Sequence, residues 1–171
     1  MIKKSHGIGQ EYKGNIYSYR FGKNLTIEDG VRIFHPENII IGDNVYIGHD
    51  TILYGYHDSV LFIGDDVWIG PQCYFHSAGN ITIESQVGIG PSVKILTSYH
   101  DYNKYPIQLN PLIFKKVMIG YGSDIGMGSV ILPGVNIGKG SQIGAGSVVT
   151  KDVISHSVVT GNPAKYIKGV K

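Results

Sequence analysis

Between Ile119 and Val153 the chain counts in sixes. An aliphatic residue recurs at Ile119, Ile125, Ile131, Ile137, Ile143 and Val149. Glycine follows it at 120, 126, 138 and 144, and a small or β-branched residue stands four places on, at Ser123, Ser129, Val135, Ser141, Ser147 and Val153. Helical faces repeat about every 3.6 residues and strand faces about every 2, so neither accounts for a period of six. The hexad predicts an all-β solenoid of parallel coils.

The same count runs upstream with interruptions. Ile41, Ile47 and Leu53 form one set, Ile63, Ile69 and Phe75 the next, then Ile83, Ile89 and Ile95, with a weaker set at Ile27 and Ile33. Three hexads make one 18-residue coil, so the cross-section is a triangle with the aliphatic residues on its axis. Departures from that arithmetic predict insertions. Ile41 to Ile63 spans 22 residues, which puts extra chain near Tyr54 to Ser59, and Ile63 to Ile83 spans 20, which puts two more near Ser77 to Asn80. Ile83 to Ile119 spans 36, room for a whole extra coil, and Ile107 and Ile113 fit its lattice. Asp101 at an axial position, with Pro106 and Pro111, favours a protruding loop over 99–116 instead, and loops of that length are usually functional.

The expected layout is one domain over 1–171: a cap over 1–24 containing Tyr12, Tyr17 and Tyr19, coils over 25–98 and 117–160, and a closing segment over 161–171 in which Tyr166 and Ile167 dock. Composition narrows the function classes. A formal charge of +2 is too mild to argue for a nucleic-acid partner. No apolar run approaches a membrane span, and Met1-Ile-Lys-Lys-Ser-His is not followed by the apolar stretch of a signal peptide. One cysteine, Cys73, precludes an internal disulfide and agrees with a cytoplasmic location. It falls at the small inward position of its hexad, so it reads as core rather than nucleophile.

Val130-Ile-Leu-Pro-Gly-Val-Asn-Ile-Gly, Ile143-Gly-Ala-Gly-Ser-Val-Val-Thr-Lys-Asp and Gly161-Asn-Pro-Ala-Lys resemble the hexapeptide acyltransferases. The likeness is to the branch of galactoside, maltose, nodulation-factor and polysaccharide O-acetyltransferases, and it covers roughly residues 27–168. It implies a left-handed parallel β-helix, a homotrimer with active sites between subunits, and acetyl-CoA as acyl donor. It also implies a catalytic histidine at the entrance of the protruding loop, which in Leu96-Thr-Ser-Tyr-His is His100. A sugar hydroxyl is a poor nucleophile at neutral pH, and an imidazole, titrating near working pH, can take its proton during attack on the thioester and return one to the departing thiolate. The resemblance further assigns Ala145 and Thr150 to the pantetheine arm and Lys165 and Lys168 to the coenzyme's phosphates, with Lys151 a further candidate there. The Gly126 amide is the candidate oxyanion donor. Three positions depart from the galactoside branch: Asp124 replaces an aromatic residue, and Gly70 and Ala78 stand where an amide and a carboxylate contact the acceptor. A galactoside acceptor is therefore not implied.

Candidate acceptor contacts are His76, Tyr99 and Tyr102. For His76 the alternative is an exposed turn residue; for Tyr99, Tyr102 and Tyr105 it is packing that anchors the loop. Asp101, or a carboxylate or carbonyl from elsewhere, is left to orient His100. The histidines at 6, 35, 49, 57, 76, 100 and 156 include no pair five apart, the spacing of the zinc-binding gamma-class carbonic anhydrases on this same solenoid, so no metal is expected; His35, His49 and His57 read as surface residues. The leading reading is acetyl transfer to a saccharide hydroxyl in surface polysaccharide synthesis. N-acetylation of an amino sugar nucleotide and a non-catalytic scaffold stand beside it, since a fold alone does not establish an activity.

Overall fold

Each hexad folds into one short strand and one corner. The aliphatic residue points to the axis, its neighbours point out, and the residue four places on tucks beneath the corner, because strand side chains alternate between faces. The computed structural model describes residues 3–4 and 20–170. They form a parallel β-solenoid of about seven turns with three flat faces. The first face stacks Arg20–Phe21, Ile39–Ile41, Leu61–Ile63, Ile81–Ile83, Val117–Ile119 and Asn136–Ile137. The third stacks Arg32–Phe34, Ile52–Tyr54, Tyr74–His76, Lys94–Leu96, Val130–Ile131 and Val148–Val149. The second lies between them and runs from Lys3–Lys4 and Thr26–Ile27 through Trp68–Ile69 and Gly88–Ile89 to Ser157–Thr160.

Registers hold the axial residues in columns, as in Ile63↔Ile83↔Ile119 and Ile69↔Ile89↔Ile125. The hexad aliphatics from Ile27 to Val149 are buried, and their continuous column is the core. Thr51, Ser123, Ser129 and Ser141, at the small position, are also buried, but their hydroxyls donate to carbonyls of the next coil at 2.9–3.1 Å, so no polar group there is left unpaired. Corners use the left-handed region. Asn24, Asn44 and Asp66 take φ of 54°, 58° and 55°, a conformation that Asn and Asp tolerate better than most residues. Their side chains form a ladder, with Asn24 Nδ2 donating to Asn44 Oδ1 and Asn44 Nδ2 to Asp66 Oδ1, each at 3.0 Å.

The coils begin earlier than expected. Arg20–Phe21 pairs with Ile40–Ile41, because Phe21 fills the axial position six before Ile27, inside the stretch expected to be the cap. The capping role given to Tyr12, Tyr17 and Tyr19, and His6, lie outside the described residues. The C-terminal expectation needs a correction. The chain turns back after Thr160, and Lys165–Gly169 runs antiparallel to Ser157–Thr160, leaving Tyr166 and Ile167 63% and 55% exposed. Ala164, not these two, packs against the core, since the returning strand bonds through its backbone to the sheet edge and not over the axis. No helix among the described residues is long and apolar enough to cross a membrane.

Cys73 is buried, its Sγ 3.3 Å from the Gly90 carbonyl, and burial pushes its thiol up to about 11. At pH 8 only roughly one molecule in 10³ then carries the reactive thiolate. We expect Ellman's reagent to leave the native protein unlabelled over minutes and to titrate one thiol after denaturation; rapid labelling of folded protein would show that the site opens.

Candidate active site

The long insertion leaves the prism at the corner between the third and first faces. Because Ile81–Ile83 pairs directly with Val117–Ile119 and Lys94–Ile95 with Val130–Ile131, there is no extra coil. Instead Ser98–His100 runs antiparallel to Leu112–Phe114, and Ile113, which fits the axial lattice in sequence, faces Tyr99 across this hairpin. The root is fixed to the preceding coil: the Thr97 hydroxyl donates to the His76 carbonyl at 2.6 Å and accepts from the Gly79 amide at 2.8 Å. The Lys115 amide closes the base onto the Thr97 carbonyl at 2.8 Å.

His100 is exposed at the end of the first hairpin strand. Its Nδ1 lies 3.0 Å from the backbone oxygen of Asn110. A carbonyl only accepts, so Nδ1 carries the proton in that contact and the neutral ring presents its lone pair at Nε2. Asn110 is itself held: its Nδ2 donates to the carbonyls of Asp101 and Lys104, both at 2.7 Å. The orienting group is thus a carbonyl ten residues on. The Asp101 carboxylate instead accepts from the backbone and side chain of Asn103 at 3.2 and 2.9 Å.

Tyr99 alternates with His100 and carries the Lys115 ammonium 5.6 Å from its ring centroid. Tyr102 and Tyr105 stand 74% and 93% exposed at the hairpin tip and so do not anchor it by packing. His76 is in a strand and half-buried, not in an exposed turn. It sits against Tyr54 and Tyr56 at 5.9 and 5.1 Å between ring centroids, and burial lowers its pKa below the ordinary histidine value. Phe34 stacks on Tyr54 at 4.7 Å, and His35 lies against His57 at 4.6 Å. Sequence reasoning misses this aromatic array on the third face. Its signal is that Phe34, Tyr54 and His76 each follow an axial residue, in successive coils.

The proposed coenzyme contacts divide between edges. Gly126 and Ala145 stack on the corner between the second and third faces, where a Cβ on Gly126 would come 2.5 Å from the Ala145 nitrogen. Thr150 and Lys151 stand on the hairpin's edge, and Lys165 and Lys168 on the last strand; all four are exposed. The oxyanion role of the Gly126 amide is corrected: that N–H donates to the Ile143 carbonyl at 2.8 Å, a rung of the ladder between coils, and is not available to a substrate. Among the described residues no three His, Cys, Asp or Glu side chains converge as a metal site would require.

Known proteins share both the repeat and the fold. The hexapeptide repeat of succinyl-transferase matches residues 116–151. A dTDP-4-amino-4,6-dideoxy-D-glucose acyltransferase of Escherichia coli is 32% identical over 162 residues, 85% of this chain and 79% of that protein. Protein CapG of Staphylococcus aureus is 43% identical over 116 residues, 60% of this chain and 66% of that protein. The crystal structure of AntD, an N-acyltransferase from Bacillus cereus in complex with dTDP and 3-hydroxybutyryl-CoA, superposes with a TM-score of 0.80 at 26% identity, covering 89% of this chain and 85% of that one. The chain belongs to the hexapeptide-repeat acyltransferase family. It is an acyltransferase of that type.

Proposed function

We propose that this protein transfers an acetyl group from acetyl-CoA to a hydroxyl of a saccharide, in the cytoplasmic synthesis of a surface polysaccharide. The observation that carries this reading is the orientation of His100 by the Asn110 carbonyl. An imidazole whose Nδ1 proton is tied down, on an exposed strand end, has one basic nitrogen aimed outward, the arrangement that general-base activation of a hydroxyl requires. As the hydroxyl oxygen attacks the thioester carbonyl, Nε2 takes its proton; as the carbon–sulfur bond breaks, the imidazolium returns a proton to the thiolate. The ester forms directly, with no acyl-enzyme.

The residues present suit the donor. Gly126 and Ala145 leave a corner with little side chain, open to a thin pantetheine arm, and exposed Lys151, Lys165 and Lys168 supply charge for phosphates as point cations, without an arginine fork. That the Gly126–Ala145 corner and His100 stand on different edges of one prism supports a homotrimer in which neighbouring subunits complete each site.

A second reading, N-acylation of an amino sugar nucleotide, is favoured by the likeness to AntD and to the Escherichia coli acyltransferase. The two separate by product. Incubation with acetyl-CoA and a panel of saccharides and amino sugar nucleotides, followed by free-thiol release, finds the acceptor; an O-acetyl product is cleaved by hydroxylamine and an amide is not. A hydroxylamine-resistant product would reject the hydroxyl reading.

Asn110→Ala keeps the backbone carbonyl but removes both ties to the hairpin. Misplacement of a reacting group by about 1 Å can cost up to about 100-fold, and we expect kcat to fall roughly tenfold with KM for acetyl-CoA unchanged. Steady-state kinetics decide; an unchanged kcat would mean that His100 needs no such support.

A further inference from the structure

The outward row of the second face has one position that carries no side chain of its own. Tyr46, Trp68, Gly88 and Asp124 follow one another in register, one per coil. Trp68 lies nearly parallel on Tyr46, centroids 5.8 Å apart and planes 2° apart, and remains 46% exposed. Its second ring face therefore looks along the prism toward the level of Gly88. Glycines at the following corner are dictated by crowding, since a Cβ on Gly70 or Gly90 would come 2.6 Å from backbone nitrogen. Gly88 is different. A Cβ there would meet only the Asp124 side chain, Oδ1 at 2.9 Å and Cγ at 4.0 Å, and the residue is not in the left-handed region. Glycine inside a strand weakens it, and one that neither packing nor dihedral angle demands marks a place that another group approaches closely.

The gap has a shape and a chemistry. Neighbouring strands are about 4.8 Å apart, so the Trp68 and Asp124 backbones are separated by roughly 10 Å. The Asp124 carboxylate leans from its strand toward the Gly88 level, so a ring stacked on the indole would lie against it. Trp68 offers an apolar face. The exposed Asp124 carboxylate, with no hydrogen-bond or ion-pair partner among the described residues, offers two acceptor oxygens at the other wall. A purely aliphatic occupant would leave that carboxylate unpaired, and a flat base would use the stack but present few donors to it. A pyranose uses both, its C–H face on the aromatic ring and its hydroxyls donating to the carboxylate.

We propose that the Trp68–Gly88–Asp124 notch binds a saccharide ring of the acceptor and sets which sugar is accepted, for transfer at the His100 of a neighbouring subunit in the proposed homotrimer, since His100 of the same prism stands at the corner opposite this face. The proposal rests on a saccharide being the acceptor, and is tested without acyl transfer. Trp68 is the chain's one tryptophan, so its emission reports on the notch alone. Titration with the methyl pyranosides of glucose, galactose and mannose, and with 2-amino-2-deoxyglucose, is expected to give a saturable emission change with at least one of them. Gly88→Val fills the gap at a site with no backbone in the way, and is expected to abolish that response with circular dichroism and thermal midpoint unchanged. Asp124→Asn raises the half-saturating concentration about tenfold, as loss of a charged acceptor does. Absence of a saturable change with all four sugars would overturn the notch, as would a response that survives Gly88→Val. So would a response to dTMP alone, or a change of oligomeric mass in Trp68→Ala, which would make this face a subunit contact. Failure of acetyl transfer with sugar binding intact would instead count against the proposed reaction.

Discussion

His100→Ala is expected to lower kcat on a hydroxyl acceptor by about 10²–10⁴-fold, the usual contribution of a positioned general base, with KM for acetyl-CoA little changed. The size follows from chemistry. A hydroxyl must lose its proton as it attacks, and Nε2 of His100 is the basic nitrogen left outward once Nδ1 is engaged at 3.0 Å by Asn110. An amine acceptor, already nucleophilic when neutral, would retain much of its rate. The same variant thus discriminates the two acceptor classes: a loss below about fivefold on the preferred acceptor would reject His100 as an essential base and favour N-acylation. His100 is exposed and outside the core, so the variant should keep the wild-type thermal midpoint, and a kinetic loss is then attributable to the reaction and not to unfolding.

The largest stability effect should come from a single methyl group. A Cβ on Gly126 would stand 2.5 Å from the Ala145 nitrogen and 2.6 Å from the Ile143 oxygen, both backbone atoms of the next coil and unable to swing aside. Gly126→Ala must push adjacent coils away from each other and stretch the Gly126–Ile143 hydrogen bond. Overpacking of this kind costs about 3 kcal/mol, which in a chain of this size lowers the melting midpoint by roughly 10 °C. Gly122→Asn is the contrast. Gly122 has φ of +65° and nothing within 4 Å of a built Cβ, and it occupies the corner position where Asn24 and Asn44 already sit. We expect a change within about 0.5 kcal/mol. Calorimetry of the two variants separates crowding from backbone conformation as the reason for glycine; equal losses would contradict this assignment.

The prism is legible because its core is periodic. Every coil repeats the same demand, an inward aliphatic and a small residue under the corner, so the lattice appears as a count in the sequence. Phe21 escapes the count because it follows a polar stretch already rich in aromatic rings, Tyr12, Tyr17 and Tyr19, where one more ring does not stand out as axial in the way that Phe75, between counted hexads, does. Ile113 satisfies the count without belonging to it, since six-residue spacing says nothing about whether the chain between has left the axis. His100 can be singled out from its local sequence, but its orienting group cannot. The Asn110 carbonyl reaches it across a hairpin whose irregular end has no period, and any residue can supply a carbonyl. The Gly126 amide looks free because sequence does not show which amides the ladder between coils consumes. Hydrophobicity alone assigns Tyr166 and Ile167 to the core, whereas the returning strand takes its stability from backbone pairing and leaves both exposed.

The way the last coil finishes bears on how molecules of this protein meet one another. A parallel solenoid is an open stack, and a bare terminal rung would offer donors and acceptors to the next molecule, an invitation to fibre growth. Each face is closed differently here. Val153 bridges to Ile137 on the first, Lys165–Gly169 reverses direction on the second, and on the third Val148 exchanges hydrogen bonds with Gly161 and Ala164 at 3.0 and 2.8 Å. Truncation before Gly161 should therefore expose a templating end, and the expected symptom is filament formation under the electron microscope while the remaining coils stay folded.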